Sequence, residues 1–100
     1  MRQQLISPSD LISRVSELDN WSTVDSELRK HFTFQTFAES IEFVNELARH
    51  AETMDHHPDM DIRFNVVALM LSTHDSGGVT DLDIQMAEYA DGIESRLRVQ

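Results

Sequence analysis

A chain of 100 residues holds one domain, read here as residues 1–100, and leaves no room for a separate cofactor or regulatory domain. Eight Lys and Arg against eighteen Asp and Glu give a net charge of −10, which argues against a sequence-independent grip on nucleic acid or on an anionic membrane. The absence of Cys removes disulfides, thiolate nucleophiles and zinc–thiolate sites.

No apolar stretch approaches the ~18 residues of a membrane span, and MRQQLISPSD has no apolar signal segment. The chain therefore reads as soluble, non-secreted and cytoplasmic. Hydrophobic residues at 40% suffice for a core, but a domain this short is marginal alone, so self-association is expected.

In chain order, Ser7-Pro8 supplies an N-cap followed by Pro at the first helical position. Leu11, Ile12, Val15 and Leu18 then recur at helical spacing, predicting a short helix over 8–18 that Asp19-Asn20 stops. From Trp21 the period changes. Trp21–Val24, a tight turn at Asp25-Ser26, and the alternation Leu28, Lys30, Phe32, Phe34 predict a hairpin with one buried face.

Thr36 and Glu39 match a capping box, and the helix it opens over 37–56 carries Phe37, Ile41, Val44, Leu47, Ala48, Ala51 and Met54 as its apolar stripe. Phe64–Thr73 reads as one ten-residue strand, apolar on both faces, hence central or with its second face on another subunit. Ser76-Gly77-Gly78 breaks it. Thr80 and Asp83 resemble a helix start, and Leu82, Met86, Tyr89/Ala90, Ile93 and Leu97 form the stripe of a last helix. Helix, strand pair, long helix, strand and helix make an α+β layout with helices on one sheet face.

The chemistry-bearing residues are histidines. Glu52 and His56 stand at i, i+4 and share a helical face. His57 lies about 100° further round, and Pro58 forbids regular helix beyond it. His74 follows the long strand beside the glycines. Imidazole exchanges protons near neutral pH, so three such groups converging suit proton transfer. Adjacent histidines at a helix C-terminus can equally be solvated residues favoured by the dipole, and a three-His metal site is geometrically open, although the H-E-x-x-H spacing is absent. His31 and His50 read as surface residues without a role.

Glu52-x-x-x-His56-His57-Pro58, followed by Phe64, His74 and Asp83, resembles the signature of the pterin-4a-carbinolamine dehydratases. The likeness extends to Trp21, to Phe32-x-Phe34-x-x-Phe37, and to Ser72-Thr73-His74 with Gly78-x-Thr80, and it covers residues 18–94. Departures are Met60 where the family often has Trp, Phe64 for Tyr or Trp, and Asn20 for the Gly before the first-strand Trp.

The resemblance implies a four-stranded antiparallel sheet with about three helices on one face, and a homodimer or homotetramer. The fourth strand is expected from the Asp59–Arg63 region or from a break in Trp21–Phe34. The latter is taken as the hairpin, with a short bend near Asp61-Ile62. The implied reaction dehydrates a 4a-hydroxytetrahydropterin to quinonoid dihydropterin and water, recycling the pterin of aromatic amino-acid hydroxylases. It needs no metal and no other cofactor.

By the resemblance, His56 and His74 transfer protons and His57 holds the pterin beside Pro58. Glu52 fixes His56 or accepts pterin N–H groups. Asp83 orients His74 or merely starts its helix, and Trp21 is a pocket wall or core. The same fold also serves non-catalytic protein-binding and assembly relatives. Degenerate relatives tend to lose the histidines, whereas this chain keeps all three.

Overall fold

The computed structural model describes residues 3–98. Helix α1 spans Pro8–Ser16, with the Ser7 hydroxyl accepting from the Asp10 N–H and Pro8 opening the first turn. Strands β1 (Ser22–Val24) and β2 (Glu27–Thr33) form the expected hairpin. Asp25 and Ser26 both take positive φ, 49° and 65°, the primed geometry that matches the twist of a two-residue connection. Asn20, in place of the family's Gly, also sits at positive φ (62°), a conformation that Asn tolerates better than most side chains.

Helix α2 (Phe37–Met54) starts where the capping box predicts. Thr36 Oγ1 accepts from the Glu39 N–H, but Glu39 Oε1 takes the N–H of Gln35 rather than that of Thr36. The buried line of α2 is Ser40, Phe43, Leu47 and Ala51. The expected stripe is thus rotated, because Phe37 is about half exposed and Phe43 faces the sheet instead.

The helix also ends two residues earlier than expected. Asp55 adopts φ 52°, its N–H donating to Glu52 O and that of His56 to Ala51 O, a Schellman closure. This left-handed residue, rather than Pro58, terminates the helix and turns His56 and His57 off its axis.

Strands β3 (Asp59–Arg63) and β4 (Val66–Leu71) pair antiparallel. The predicted strand over 64–73 is therefore shorter, confined to β4, and the Asp59–Arg63 region, one expected source of the fourth strand, forms β3 before it. The bend expected at Asp61-Ile62 lies at Phe64-Asn65, since Ile62 pairs with Val67 inside the ladder. Phe64 occupies φ 52° at this turn, and the tip is held by Phe34 N–H donating to Asn65 O and Asn65 Nδ2 donating to Phe34 O. Helix α3 spans Asp81–Arg98.

The four strands run in the order β1-β2-β4-β3, all neighbours antiparallel, so the α+β expectation and its four-stranded sheet are met. Period 2 sends Leu28 and Phe32 of β2, with Val67, Leu69 and Leu71 of β4, onto the helix-covered face. There they meet Phe43 and Leu47 of α2 and Met86 and Ile93 of α3 in one core. The opposite face carries half-buried Val66, Ala68 and Met70, bordered by His31 and by the Arg63–Asp61 ion pair, which raises the pKa of the Arg63 guanidinium. Among the described residues, no helix is long and apolar enough to cross a membrane.

Candidate active site

The C-terminal end of α2, the end of β4 and the segment between β4 and α3 meet at one end of the molecule. A 3₁₀ turn over His74–Ser76 follows β4 and is closed by a bridge between Thr73 and Gly78. Gly77 takes φ 80° at its end, where a side chain would be strained. Asp55, His56 and His57 from one side, and Ser72, Thr73, His74 and Asp75 from the other, line an open cavity of about 240 Å³. All three candidate histidines line it.

A larger cleft of about 510 Å³ lies elsewhere, between the N-terminal segment, the β1–β2 turn and Gly77–Val79, lined by Leu5, Pro8, Leu11 and Thr23 among others. It is mainly apolar and contains no imidazole, whereas the smaller cavity gathers three. Among the described residues, no three His, Asp or Glu side chains are arranged to hold a metal ion.

His56 is anchored from behind. Its Nε2 lies 2.7 Å from Oδ1 of Asp83, a residue with no exposed surface. The other carboxylate oxygen accepts from the Thr73 hydroxyl at 2.8 Å and from the Thr80 N–H at 2.9 Å. A carboxylate with such partners accepts from Nε2–H, which fixes the tautomer and leaves Nδ1 as the free ring nitrogen. Asp83 thus combines two duties. Oδ2 reaches back to the N–H of Thr80 as a helix-start carboxylate does, while Oδ1 orients an imidazole.

Sequence reasoning gave that role the wrong partner: Asp83 bonds His56, not His74. The reason lies in the Schellman closure, which swings His56 inward to α3. Glu52 is likewise displaced from His56 and binds His57 Nε2 at 2.5 Å, with both side chains more than half exposed. His74 lies exposed on the opposite cavity wall.

Three expected substrate contacts do not line the cavity. Pro58 leads into β3, and Glu52 and Asp83 stand behind the imidazoles. Trp21 departs further. It is buried in the core, edge-on to Phe32 with ring centroids 5.9 Å apart, and its Nε1–H donates to Asp91. Asp91 also binds the buried Lys30 ammonium at 2.7 Å. Trp21 is a core residue of this chain, not a pocket wall. Its partner on α3 lies about 12 Å along the helix from Asp83, at ~1.5 Å per residue.

The residues whose part was missed are Thr73 and Thr80. Their hydroxyls lie 2.7 Å apart. The signals for them were the family-like Ser72-Thr73-His74 with Gly78-x-Thr80 and the Thr80-x-x-Asp83 cap spacing, neither of which tied their hydroxyls to Asp83.

The family model described as pterin 4 alpha carbinolamine dehydratase matches residues 4–93. The chain belongs to this family. A Picosynechococcus sp. relative, provisionally named a pterin-4-alpha-carbinolamine dehydratase, is 40% identical over 82 residues, covering 82% of this chain and 89% of its own. One from Sulfolobus acidocaldarius with the same provisional name is 39% identical over 89% of this chain and 98% of its own.

Among solved structures, a Brucella melitensis protein described as a transcriptional coactivator/pterin dehydratase is 34% identical. It superposes with TM-score 0.87 over 89% of this chain and 97% of that one. A pterin dehydratase-like protein identified as a RuBisCO assembly factor of the alpha-carboxysome shares the fold. Its TM-score is 0.61 at 21% identity, over 74% of this chain and 86% of that one.

Proposed function

We propose that this family member is an active dehydratase, converting a 4a-hydroxytetrahydropterin to quinonoid dihydropterin and water by imidazole acid–base catalysis. The observation that carries the reading is His56, its Nε2 2.7 Å from a wholly buried Asp83 on the wall of a cavity shared with His57 and His74. A residue kept only for solubility at a helix end has no need of a buried carboxylate behind it.

In the reaction, the C4a–O bond breaks with its electron pair going to oxygen, and an acid protonates that oxygen so that water departs. The N5 lone pair closes the C4a=N5 bond, and the N5 proton passes to a base. Atoms and charge balance with no redox partner. His56 and His74, on opposite walls, are suited to the two transfers. His56 offers Nδ1 as base, and His74, exposed to solvent, can be recharged with a proton. His57, braced by Glu52, donates to or stacks on the ring.

The cavity is below the roughly 300–1,000 Å³ of sites that enclose drug-sized ligands. It suits the bicyclic ring and leaves the pterin side chain in solvent. Recycling the pterin of an aromatic amino-acid hydroxylase in the cytoplasm is the role that this chemistry serves.

Self-association, as a homodimer or homotetramer, would cover the half-buried Val66, Ala68 and Met70 face. Burial contributes roughly 1–3 kcal/mol for each larger side chain, and light scattering at micromolar concentration checks it, a monomer counting against it. The activity test is absorbance of quinonoid dihydropterin formed from synthetic 4a-hydroxytetrahydropterin. The reading requires turnover above the spontaneous rate at catalytic protein concentration, and the spontaneous rate alone refutes it.

A further inference from the structure

Thr73 is tied to both walls of the cavity. Through its backbone it builds the turn that presents His74: its N–H donates to Gly78 O at 2.8 Å, and its carbonyl accepts from the N–H groups of Ser76 and Gly77, both at 3.0 Å. Through its side chain it reaches the other wall, where its hydroxyl donates to Asp83 Oδ2 at 2.8 Å and Asp83 Oδ1 holds His56.

The direction of these bonds is fixed by counting hydrogens. The Asp83 carboxylate accepts only, so the single Thr73 hydrogen goes to it. The 2.7 Å contact between the two threonine hydroxyls must then use the hydrogen of Thr80, whose oxygen in turn accepts from the Leu82 N–H at 3.3 Å. The result is a one-way chain from Thr80 to Thr73 to Asp83 in a space closed to water, for Thr80 and Asp83 have no exposed surface and Thr73 keeps 8%.

Satisfying a buried hydroxyl requires one partner. Here the Thr73 hydroxyl and the Thr80 N–H both go to one carboxylate oxygen, and the Thr80 hydroxyl backs that of Thr73, which leaves the other carboxylate oxygen for the imidazole. We propose that Thr73 is a positioning residue for proton transfer. Its hydroxyl, backed by Thr80, holds Asp83 in the rotamer that keeps the proton of His56 on Nε2, while its backbone sets His74 opposite. The role rests on the dehydratase reading, but it has a readout without substrate, the tautomer of His56.

The test uses the full chain with Thr73→Val, which keeps the shape and removes the hydroxyl, and Thr73→Ser, which restores it. Long-range ¹H–¹⁵N spectra of the ligand-free protein report which ring nitrogen of His56 carries the proton. Thr73→Val is expected to mix the His56 tautomers and to lower kcat about tenfold, the low end for a hydrogen-bond partner one layer behind an imidazole, with KM within about twofold. Thr73→Ser is expected to restore both.

In the double variant Thr73→Val/Asp83→Asn the losses should not add, since Thr73 acts through Asp83. A folded Thr73→Val protein with parental His56 spectra overturns the proposal, and so does a Thr73→Ser protein as impaired as Thr73→Val. If Thr73→Val does not fold, Thr80→Val removes the next hydroxyl back and must shift the His56 tautomer in the same sense; unchanged spectra refute the relay. A parent chain without dehydratase activity refutes the catalytic reading alone, and the spectra then decide the positioning claim by themselves.

Discussion

Asp83→Asn separates geometry from chemistry most sharply. The amide keeps the shape of the carboxylate, and its oxygen belongs where two donors converge, at the Oδ2 site facing the Thr80 N–H and the Thr73 hydroxyl. Its NH₂ group then faces His56 Nε2 across the 2.7 Å now occupied by Oδ1. Two donors cannot share that distance, so His56 must move its proton to Nδ1, the nitrogen required as the base. The full acid–base contribution of one imidazole is then at stake, about 10²–10⁴-fold in kcat, or ~3–5 kcal/mol in the barrier at about 1.4 kcal/mol per tenfold.

Stability should change far less in this variant, because the bonds to Thr73 and Thr80 survive. A loss of about 1 kcal/mol corresponds to a fall of roughly 4–8 °C in Tm for a domain of this size. Steady-state dehydration assays, paired with thermal denaturation and with spectra of the His56 ring nitrogens, measure all three quantities. A folded Asp83→Asn protein that shows the shifted tautomer yet turns over at the parental rate refutes His56 as the base.

The histidines divide the work unequally. His56→Ala and His74→Ala should each lower kcat by about 10²–10⁴-fold, with the double variant near the uncatalysed rate, whereas His57→Ala should raise KM more than it lowers kcat; equal KM effects at all three positions would contradict that division. Asp91→Ala leaves the Lys30 ammonium, 5% exposed, with Glu94 at 3.9 Å and the Phe32 ring at 4.7 Å. A cost of up to about 3 kcal/mol, or roughly 12–24 °C in Tm, is expected from losing the near partner of a buried charge, with kcat unchanged in the folded fraction; loss of kcat without loss of stability would return Trp21 and its partners to the site. Phe64→Gly relieves a positive φ at a side chain 69% exposed. It should raise stability by about 0.5–1 kcal/mol, and a lower melting temperature would show that the ring packs usefully against the hairpin tip.

What the sequence made legible follows from where its signals are strong. Ser7-Pro8 and Thr36 announce helix starts by chemistry that needs no tertiary partner, and both caps form as expected. The alternation through Leu28, Lys30 and Phe32 fixed the buried face of β2, even placing a lysine inside, where Asp91 and the Phe32 ring, 4.7 Å from Nζ, receive it. The missed features turn on left-handed residues of unusual type. Phe64 carries no turn signal, so the turn reads as the start of β4 and the bend is expected at Asp61-Ile62, inside β3. Asp55 hides the end of α2, and two residues of error there move Glu52 from His56 to His57 and bring Asp83 to His56 instead of His74. Spacing told which residues gather at this end of the molecule. It could not tell that Glu52 would take His57, or that Asp83 would take His56, because the choice depends on how α3 packs against α2.

The Asp83 environment also bears on whether this chain catalyses or only binds a protein partner, as an assembly module on the same fold would. Histidines at a helix end and on an exposed turn add little to folding and persist at small cost. A buried carboxylate is different: removing it from water costs several kcal/mol unless donors replace the solvent. Here Thr73, Thr80 and His56 supply them, and each is itself fixed by the segment that carries His74 or by the closure of α2. An apolar residue would fill the same core position with no such demand. The helix-start bond to Thr80 accounts for Oδ2 alone; the bond from His56 to Oδ1 is what the proposed dehydratase reading uses, because proton transfer requires the proton of His56 on one particular nitrogen and docking does not.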